Sequence, residues 1–218
     1  MGETFKQMRR HTMGSDSTKA DRYTKVAIAL HWVLAVLSLS MIPAGWWMGD
    51  AILDSDTRAQ ALKAFPLHKA TGMTILALTV LRLAWRLTHK APPLPQRMPI
   101  REAFVAQATH WLFYGLLFAL PISGWIYASS GWSEAFRTFL NVPTSWFGLF
   151  DFPSFPGIAA QPGNARRAIG EAAIAVHGKL AWMLLVLAGL HVAAALKHHV
   201  VDKDDVLSRM IPFLKPRT

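Results

Sequence analysis

Five histidines fall within or at the edges of long apolar segments of this chain: His31, His68, His110, His177 and His191. An ionisable side chain in a bilayer is costly, and it normally faces the interior of a helix bundle, where it has a partner or a ligand. A single histidine of this kind is equally well explained by a hydrogen bond to a neighbouring helix or by a place near the lipid headgroups. Five of them in one chain favour a ligand-binding role.

The spacing of the last two histidines indicates how such ligands would be arranged. His177 and His191 lie 14 residues apart in the last apolar segment. At about 100° per residue they return to within roughly 40° of the same helix face, and at about 1.5 Å per residue they are separated by roughly 21 Å along the axis. One helix therefore presents two stacked imidazoles at two depths.

The apolar segments themselves predict four transmembrane helices. Val26 to Met48 contains no acid or base, and at about 1.5 Å per residue its length spans a hydrocarbon core of about 30 Å. The alternative is the interior of a large soluble helical protein, but tryptophans near the segment ends suit a membrane interface. The predicted fold class is all-α, an integral membrane four-helix bundle with spans over about 26–48, 70–88, 104–129 and 172–197.

The charge distribution predicts the orientation of this bundle. The chain has 23 Lys and Arg against 13 Asp and Glu, but only 17% of its residues are charged, so no nucleic-acid partner is expected. Sixteen of the bases lie before the first span, in or beside the link between the second and third spans, or after the fourth. Because positively charged loops tend to stay in the cytoplasm, both termini are predicted to be cytoplasmic.

This orientation sorts the histidines by depth. His31 lies near the start of an outward-running span, so it has the same depth as His191, near the cytoplasmic side. His68 lies at the start of an inward-running span, so it has the same depth as His177, near the outer side. Two facing imidazoles without a thiol or carboxylate suit the two axial positions of a haem iron, and zinc, which prefers four ligands, fits less well. The absence of Cys excludes iron–sulfur clusters and covalently attached c-type haem. The pattern predicts two stacked haems.

Several further residues lie near these ligands in the sequence. Arg82 follows His68 by 14 residues and would pair with a propionate of the inner haem, or would simply extend towards the headgroups as a positive-inside residue. His110, also at inner depth, competes with His31 or His191 as a ligand, although a hydrogen bond to a quinone or a helix contact is the favoured role. Gly72 and Gly178 beside the outer ligands would let a flat macrocycle approach the backbone, or would equally well serve as small residues that help membrane helices to pack.

Sequence motifs in the four spans connect the chain to a known family. In order they are ALHW, PLHKATG, VLRLAWR, ATHWLFYGLLFALPISGW, AVHGKL and GLHVAAALKHH. With them the chain resembles the bacterial cytochrome b561 family over about residues 23 to 212. The resemblance implies an inner-membrane cytochrome with two haem b groups. It also implies His31 and His191 as ligands of one iron, and His68 and His177 as ligands of the other.

The resemblance also implies a function, which we compare with two alternatives. The leading hypothesis is an oxidoreductase of the respiratory chain that passes electrons between the quinone pool and a partner or small oxidant, such as superoxide in a superoxide:ubiquinone reaction. A variant is the haem-bearing membrane anchor of a larger dehydrogenase or hydrogenase. A haem-free, histidine-lined proton path or small transporter belongs to another class, but the spans lack the Asp and Glu that such proteins commonly use.

These hypotheses divide the chain into three parts and define its expected partners. Residues 1–22 are predicted to be a polar, basic cytoplasmic extension, 23–200 the haem-binding transmembrane domain, and 201–218 a cytoplasmic tail. The link from Gly131 to Gly170, rich in aromatics, Pro and Gly, is predicted to lie on the membrane interface or to cap the bundle. Quinone and membrane lipid are the expected partners, and a redox partner protein and a second copy forming a homodimer are further candidates.

Overall fold

The computed structural model describes residues 22–95, 98–140, 142–211 and 213–214. Residues 1–21 of the predicted extension lie outside these ranges, as do Arg97 and residues 215–218 of the predicted tail.

Four long helices make up most of the described chain: α1 (Lys25–Ala51), α2 (Arg58–Thr88), α3 (Ile100–Ser130) and α4 (Gly163–Lys197). A π-helical turn, His198–Asp202, continues α4. All four helices are long and apolar enough to cross a membrane, and each predicted span lies inside one of them. The all-α membrane-bundle prediction is confirmed, although α2 and α4 begin well before their apolar runs.

Local side-chain contacts explain where the first helices begin and end. The Thr24 hydroxyl accepts a hydrogen bond from the backbone N–H of Ala27 and so caps the start of α1. At the other end of α1, the Arg58 guanidinium donates to the carbonyl of Ile52 at 3.0 Å and to that of Leu53 at 3.2 Å. These bonds satisfy carbonyls that the end of the helix leaves open, and they fix a tight turn into α2.

Consecutive helices are antiparallel, so the bundle has two distinct ends. We call the end that holds the start of α1 and the end of α4 the terminal end, and the opposite end the hairpin end. At the terminal end, Arg22 donates to the carbonyl of Leu214 at 2.6 Å, and the indole N–H of Trp32 donates to the carbonyl of Met210 at 2.9 Å. Both described ends of the chain therefore lie together at the terminal end.

The link at the hairpin end contains two short antiparallel hairpins. The first pairs β1 (Trp132–Ser133) with β2 (Thr138–Phe139), and the second pairs β3 (Thr144–Trp146) with β4 (Phe150–Phe152). Arg166 of α4 fixes the first hairpin, because its Nε donates to the carbonyl of Ser130 at 2.9 Å and its guanidinium lies over the ring of Phe139. The predicted link is thus shorter and more ordered than its composition suggests.

A buried apolar layer joins three helices halfway along the bundle. It consists of Ile42 of α1, Leu116 of α3, and Ala181 and Leu184 of α4. On each of these helices the layer lies between a residue at the terminal-end histidine level and a residue at the hairpin-end level. The bundle therefore has two polar levels separated by an apolar one.

Candidate cofactor site

Two half-buried imidazoles face each other near the hairpin end of the bundle. His68 of α2 and His177 of α4 have ring centroids 6.3 Å apart, with their planes at 66°. The two other helices approach these rings with glycines: a Cβ on Gly45 of α1 would lie 3.4 Å from Cε1 of His68, and one on Gly124 of α3 would lie 3.3 Å from Cε1 of His177. All four helices therefore contribute to this level.

The imidazole of His177 is held in one orientation by α3. Its Nδ1 lies 3.0 Å from the carbonyl oxygen of Leu120 and 3.1 Å from the hydroxyl of Ser123. A carbonyl can only accept, so Nδ1 carries the proton and donates to Leu120. This tautomer leaves Nε2 unprotonated, which is the state in which an imidazole binds a metal, and such second-shell bonds commonly orient metal ligands.

The facing imidazole of His68 has an unsatisfied nitrogen. Its Nδ1 is buried and has no hydrogen-bond partner within the described residues. A buried polar atom without a partner costs about 1 to 3 kcal/mol, so a protein rarely keeps one unless a ligand or a water completes the site.

A second group of imidazoles lies near the terminal end. The ring centroids of His31 of α1 and His191 of α4 are 6.3 Å apart, and His110 of α3 approaches His191 to 5.8 Å. Arg82 of α2 joins them, since its Nη1 lies 3.1 Å from Nδ1 of His31. A guanidinium can only donate, so Nδ1 of His31 accepts this bond. The structure thus brings the five site residues predicted from the sequence to two levels.

The spacing within each pair fits an iron held between two imidazoles. A metal–imidazole bond is about 2.0 to 2.1 Å long, and two such bonds with the two ring radii span about the 6.3 Å found in both pairs.

The described side chains fit a zinc site less well than a haem site. In the described ranges, the one group of three or more histidine and acidic side chains with ligand atoms within 4.8 Å of one another is Glu102, His198 and Asp202. The ammonium of Lys197 already pairs with both acids of that group.

A small cavity adjoins the terminal-end histidines. It has a volume of about 60 Å³ and lies between the first three helices, next to Arg82 and His110. Basic and aromatic side chains dominate its wall, among them Arg86, Lys90, Trp85 and Tyr114. The cavity therefore suits a ligand with acceptor oxygens on a flat ring or an acidic group.

Four helices able to cross a membrane and two imidazole pairs at membrane depth are the features of a b-type membrane cytochrome. The chain belongs to the prokaryotic cytochrome b561 family, whose family model matches residues 22–213. Membership implies that the chain binds b-type haem and transfers electrons. It also identifies the chain as a multi-pass protein of the bacterial inner membrane.

Three curated proteins illustrate the relationship. Cytochrome b561 homolog 2 of Escherichia coli (strain K12) is 35% identical over 192 residues, which cover 88% of this chain and 92% of that protein. The probable superoxide oxidase CybB of Yersinia pestis is 28% identical over 193 residues, covering 88% and 96%. Cytochrome b561 homolog 1 of E. coli (strain K12) is 25% identical over 199 residues, covering 88% and 98%.

The residues that contact the imidazoles from neighbouring helices were not predictable from the sequence motifs. Gly45, Gly124 and Ser123 have this role, whereas a Cβ on Gly72 or Gly178 would meet no atom of the described residues within 4 Å. Gly72 and Gly178 were assigned a different role from the sequence, the approach of a flat macrocycle to the backbone, and they lie on the helices of the ligands themselves. The glycines that approach the rings lie on the helices opposite, where no sequence spacing connects them to a histidine.

We expect Gly124→Val to lower the amount of haem bound per chain. A Cβ alone would already lie 3.3 Å from the His177 ring, so the two added methyl groups would push the imidazole away from Leu120. Haem content per chain and the reduced-minus-oxidised spectrum measure the loss. Gly115→Val is the matched control on the same helix, because a Cβ there would meet nothing within 4 Å in the described structure. An equal loss in both variants would contradict the expectation.

Proposed function

We propose that this chain carries electrons through two stacked b-type haems, between the quinone pool and a partner or a small redox substrate such as superoxide. The observation that carries the proposal is the repeated imidazole pair, with the same 6.3 Å centroid separation at both levels. His68 and His177 would hold one iron, and His31 and His191 the other. The name of the Yersinia pestis relative supports superoxide as the small substrate.

The haems, when bound, supply reversible one-electron chemistry, and the residues of the chain set the conditions for it. Leu120 fixes the tautomer of His177 and so presents Nε2 to the metal. The apolar layer around Leu116 and Leu184 is buried between the two levels. No acid–base side chain is needed for electron transfer itself.

Arg82 also affects which nitrogen of His31 is able to bind iron. As long as it donates to Nδ1 of His31, the remaining proton of a neutral His31 is on Nε2, and that nitrogen cannot bind iron. Ligation through Nε2 therefore requires Arg82 to release Nδ1. A haem propionate at the same level is the anion that would receive the guanidinium.

We expect Arg82→Gln to lower the midpoint potential of the haem at the terminal-end level without removing it. A positive charge near the iron stabilises the reduced haem, so its loss lowers the midpoint potential. The two histidine ligands are unchanged in this variant, so the haem content should stay the same. A loss of about 1.4 kcal/mol corresponds to about 59 mV for a one-electron couple. Redox titration of the two haems measures the shift, and Arg82→Lys, which keeps the charge, should shift less. An unchanged potential in Arg82→Gln would contradict the role.

The cavity beside His110 is the proposed place for the quinone headgroup. The ring nitrogens of His110 and the guanidinium of Arg82 offer donors to a quinone carbonyl, and Trp85 and Tyr114 offer aromatic faces. This assignment gives His110 a function in substrate binding and leaves His31 as the iron ligand.

The orientation and the division of the chain belong to the same proposal. With sixteen of the 23 bases on its side, the terminal end would face the cytoplasm. Residues 1–22 would form a basic extension, 23–200 the haem-binding domain and 201–218 the tail. The tail packs closely on the bundle, because Arg209 bonds to the carbonyl of Pro93 and Met210 to Trp32.

The proposal is tested by purifying the chain with its native membrane lipids and measuring haem and turnover. We expect two b-type haems per chain by pyridine haemochrome assay, both reducible, and electron exchange with ubiquinone in proteoliposomes. A single haem would refute the two-level assignment, and the absence of haem would favour a proton path or transporter. Co-purification of a large soluble subunit, with no turnover by the isolated chain, would favour the membrane-anchor variant.

A further inference from the structure

The two hairpins at the hairpin end have similar aromatic composition but pack at very different depths. The first hairpin packs on the outermost turns of the bundle: Arg58 lies over the ring of Phe136, and Arg166 lies over that of Phe139. These arginines precede His68 and His177 by 10 and 11 residues, respectively. At about 1.5 Å per residue these arginines lie about 15 Å beyond the histidine level, away from the membrane centre. The hairpin itself begins about 9 Å beyond that level, because Ser130 at the end of α3 follows Gly124 by six residues.

The second hairpin packs on the opposite side of that level. The indole N–H of Trp146 in β3 donates to the hydroxyl of Thr74 in α2 at 3.0 Å. Thr74 follows His68 by six residues, which at about 1.5 Å per residue places it about 9 Å closer to the membrane centre. His68 itself is level with Gly45, which lies six residues inside the end of α1. The contact between Trp146 and Thr74 is thus within the predicted hydrocarbon region.

The side chains at the tip of this hairpin are apolar and unusually exposed. Leu149 is 74% exposed, and Phe147 and Phe150 are 51% and 52% exposed. In a chain whose helices expose apolar residues to the bilayer, exposure at this depth is contact with lipid. Water at the same place would leave a contiguous apolar patch uncovered.

Part of the backbone of the hairpin is paired, which lowers the cost of bringing its tip into an apolar environment. The strands pair with each other, and the N–H of Leu149 closes the turn by donating to the carbonyl of Trp146 at 2.9 Å. The Lys69 ammonium donates hydrogen bonds to two carbonyls just before β3, those of Val142 at 3.3 Å and Pro143 at 2.8 Å. One face of β3 is covered by α2.

We propose that the tip of hairpin β3–β4 enters the lipid leaflet at the hairpin end, beside α2, with Phe147, Leu149 and Phe150 in contact with acyl chains. Its partner is the membrane lipid, and its aromatic tip is a second membrane contact beside the four helices. The first hairpin lies farther from the membrane centre than this tip.

The absence of cysteine allows a direct test with single-cysteine variants. Leu149→Cys and Phe136→Cys would each carry a nitroxide spin label, in the haem-loaded chain in vesicles of phosphatidylethanolamine and phosphatidylglycerol. Val80→Cys, at an exposed position of α2 deep in the span, is the lipid reference. Collisions of the label with oxygen report lipid, and collisions with a water-soluble nickel chelate report water.

We expect the ratio of oxygen to nickel collisions at Leu149 to approach that at Val80 and to exceed that at Phe136 several-fold. Equal ratios at Leu149 and Phe136 would overturn the proposal. Dipolar broadening between Leu149 labels on two chains would also overturn it, because the tip would then bind a second copy rather than lipid. Neither outcome depends on electron transfer, so the proposed function is tested separately.

Discussion

Replacing His177 by alanine is expected to leave one haem per chain instead of two. The imidazole of His177 is oriented by Leu120 and faces His68 across 6.3 Å, so in the proposed ligand set its removal would leave one protein ligand for the iron at that level. The haem at the terminal-end level has its own pair, roughly 21 Å away along α4, and should remain. Pyridine haemochrome per chain and the reduced-minus-oxidised spectrum measure both levels.

Two further variants distinguish lost ligation from general damage. His198→Ala changes a histidine of the same helical segment that bonds to Asp204 outside both levels, and it should keep two haems. His177→Gly leaves space for free imidazole, which should restore the second haem when added. Loss of both haems in His177→Ala, or of neither, would contradict the pairing.

At the terminal-end level, His31→Ala is expected to remove the other haem and to stop electron exchange with quinone. His110→Ala should keep both haems and lower only the quinone turnover, because His110 is assigned to the cavity. This comparison is decisive because both rings are close to His191, His31 at 6.3 Å and His110 at 5.8 Å. The measurements are haem content and initial rates against ubiquinone concentration. The opposite result, with haem lost in His110→Ala alone, would make His110 the ligand.

Helical geometry explains why the two histidine levels were predictable from the sequence. The 14-residue separation of His177 and His191 fixes both their shared face and their separation, and the direction of each span sets the depths of His31 and His68. The structure places these residues as that geometry requires. The 14-residue spacing from His68 also placed Arg82 at the depth of His31, but the contact between their side chains was not predicted.

Contacts between helices were not predictable in the same way. Gly45 and Gly124 approach the imidazoles because α1 and α3 are rotated so that these positions face inwards, and rotation depends on packing along the whole helix. The hairpins were missed for another reason: strands of two or three residues are too short for a periodic pattern. Their depths depend on single contacts, such as that between Trp146 and Thr74.

The apolar layer between the histidine levels has an electrical consequence. An electron that moved from one level to the other would cross the apolar layer inside the bilayer and therefore much of the transmembrane potential. Moving one elementary charge through the full potential involves about 2.3 kcal/mol per 100 mV. Turnover would accordingly be electrogenic: a voltage that is negative at the terminal end opposes electron flow towards that end and favours flow away from it. The energised state of the membrane would thus help to set the direction in which this cytochrome works.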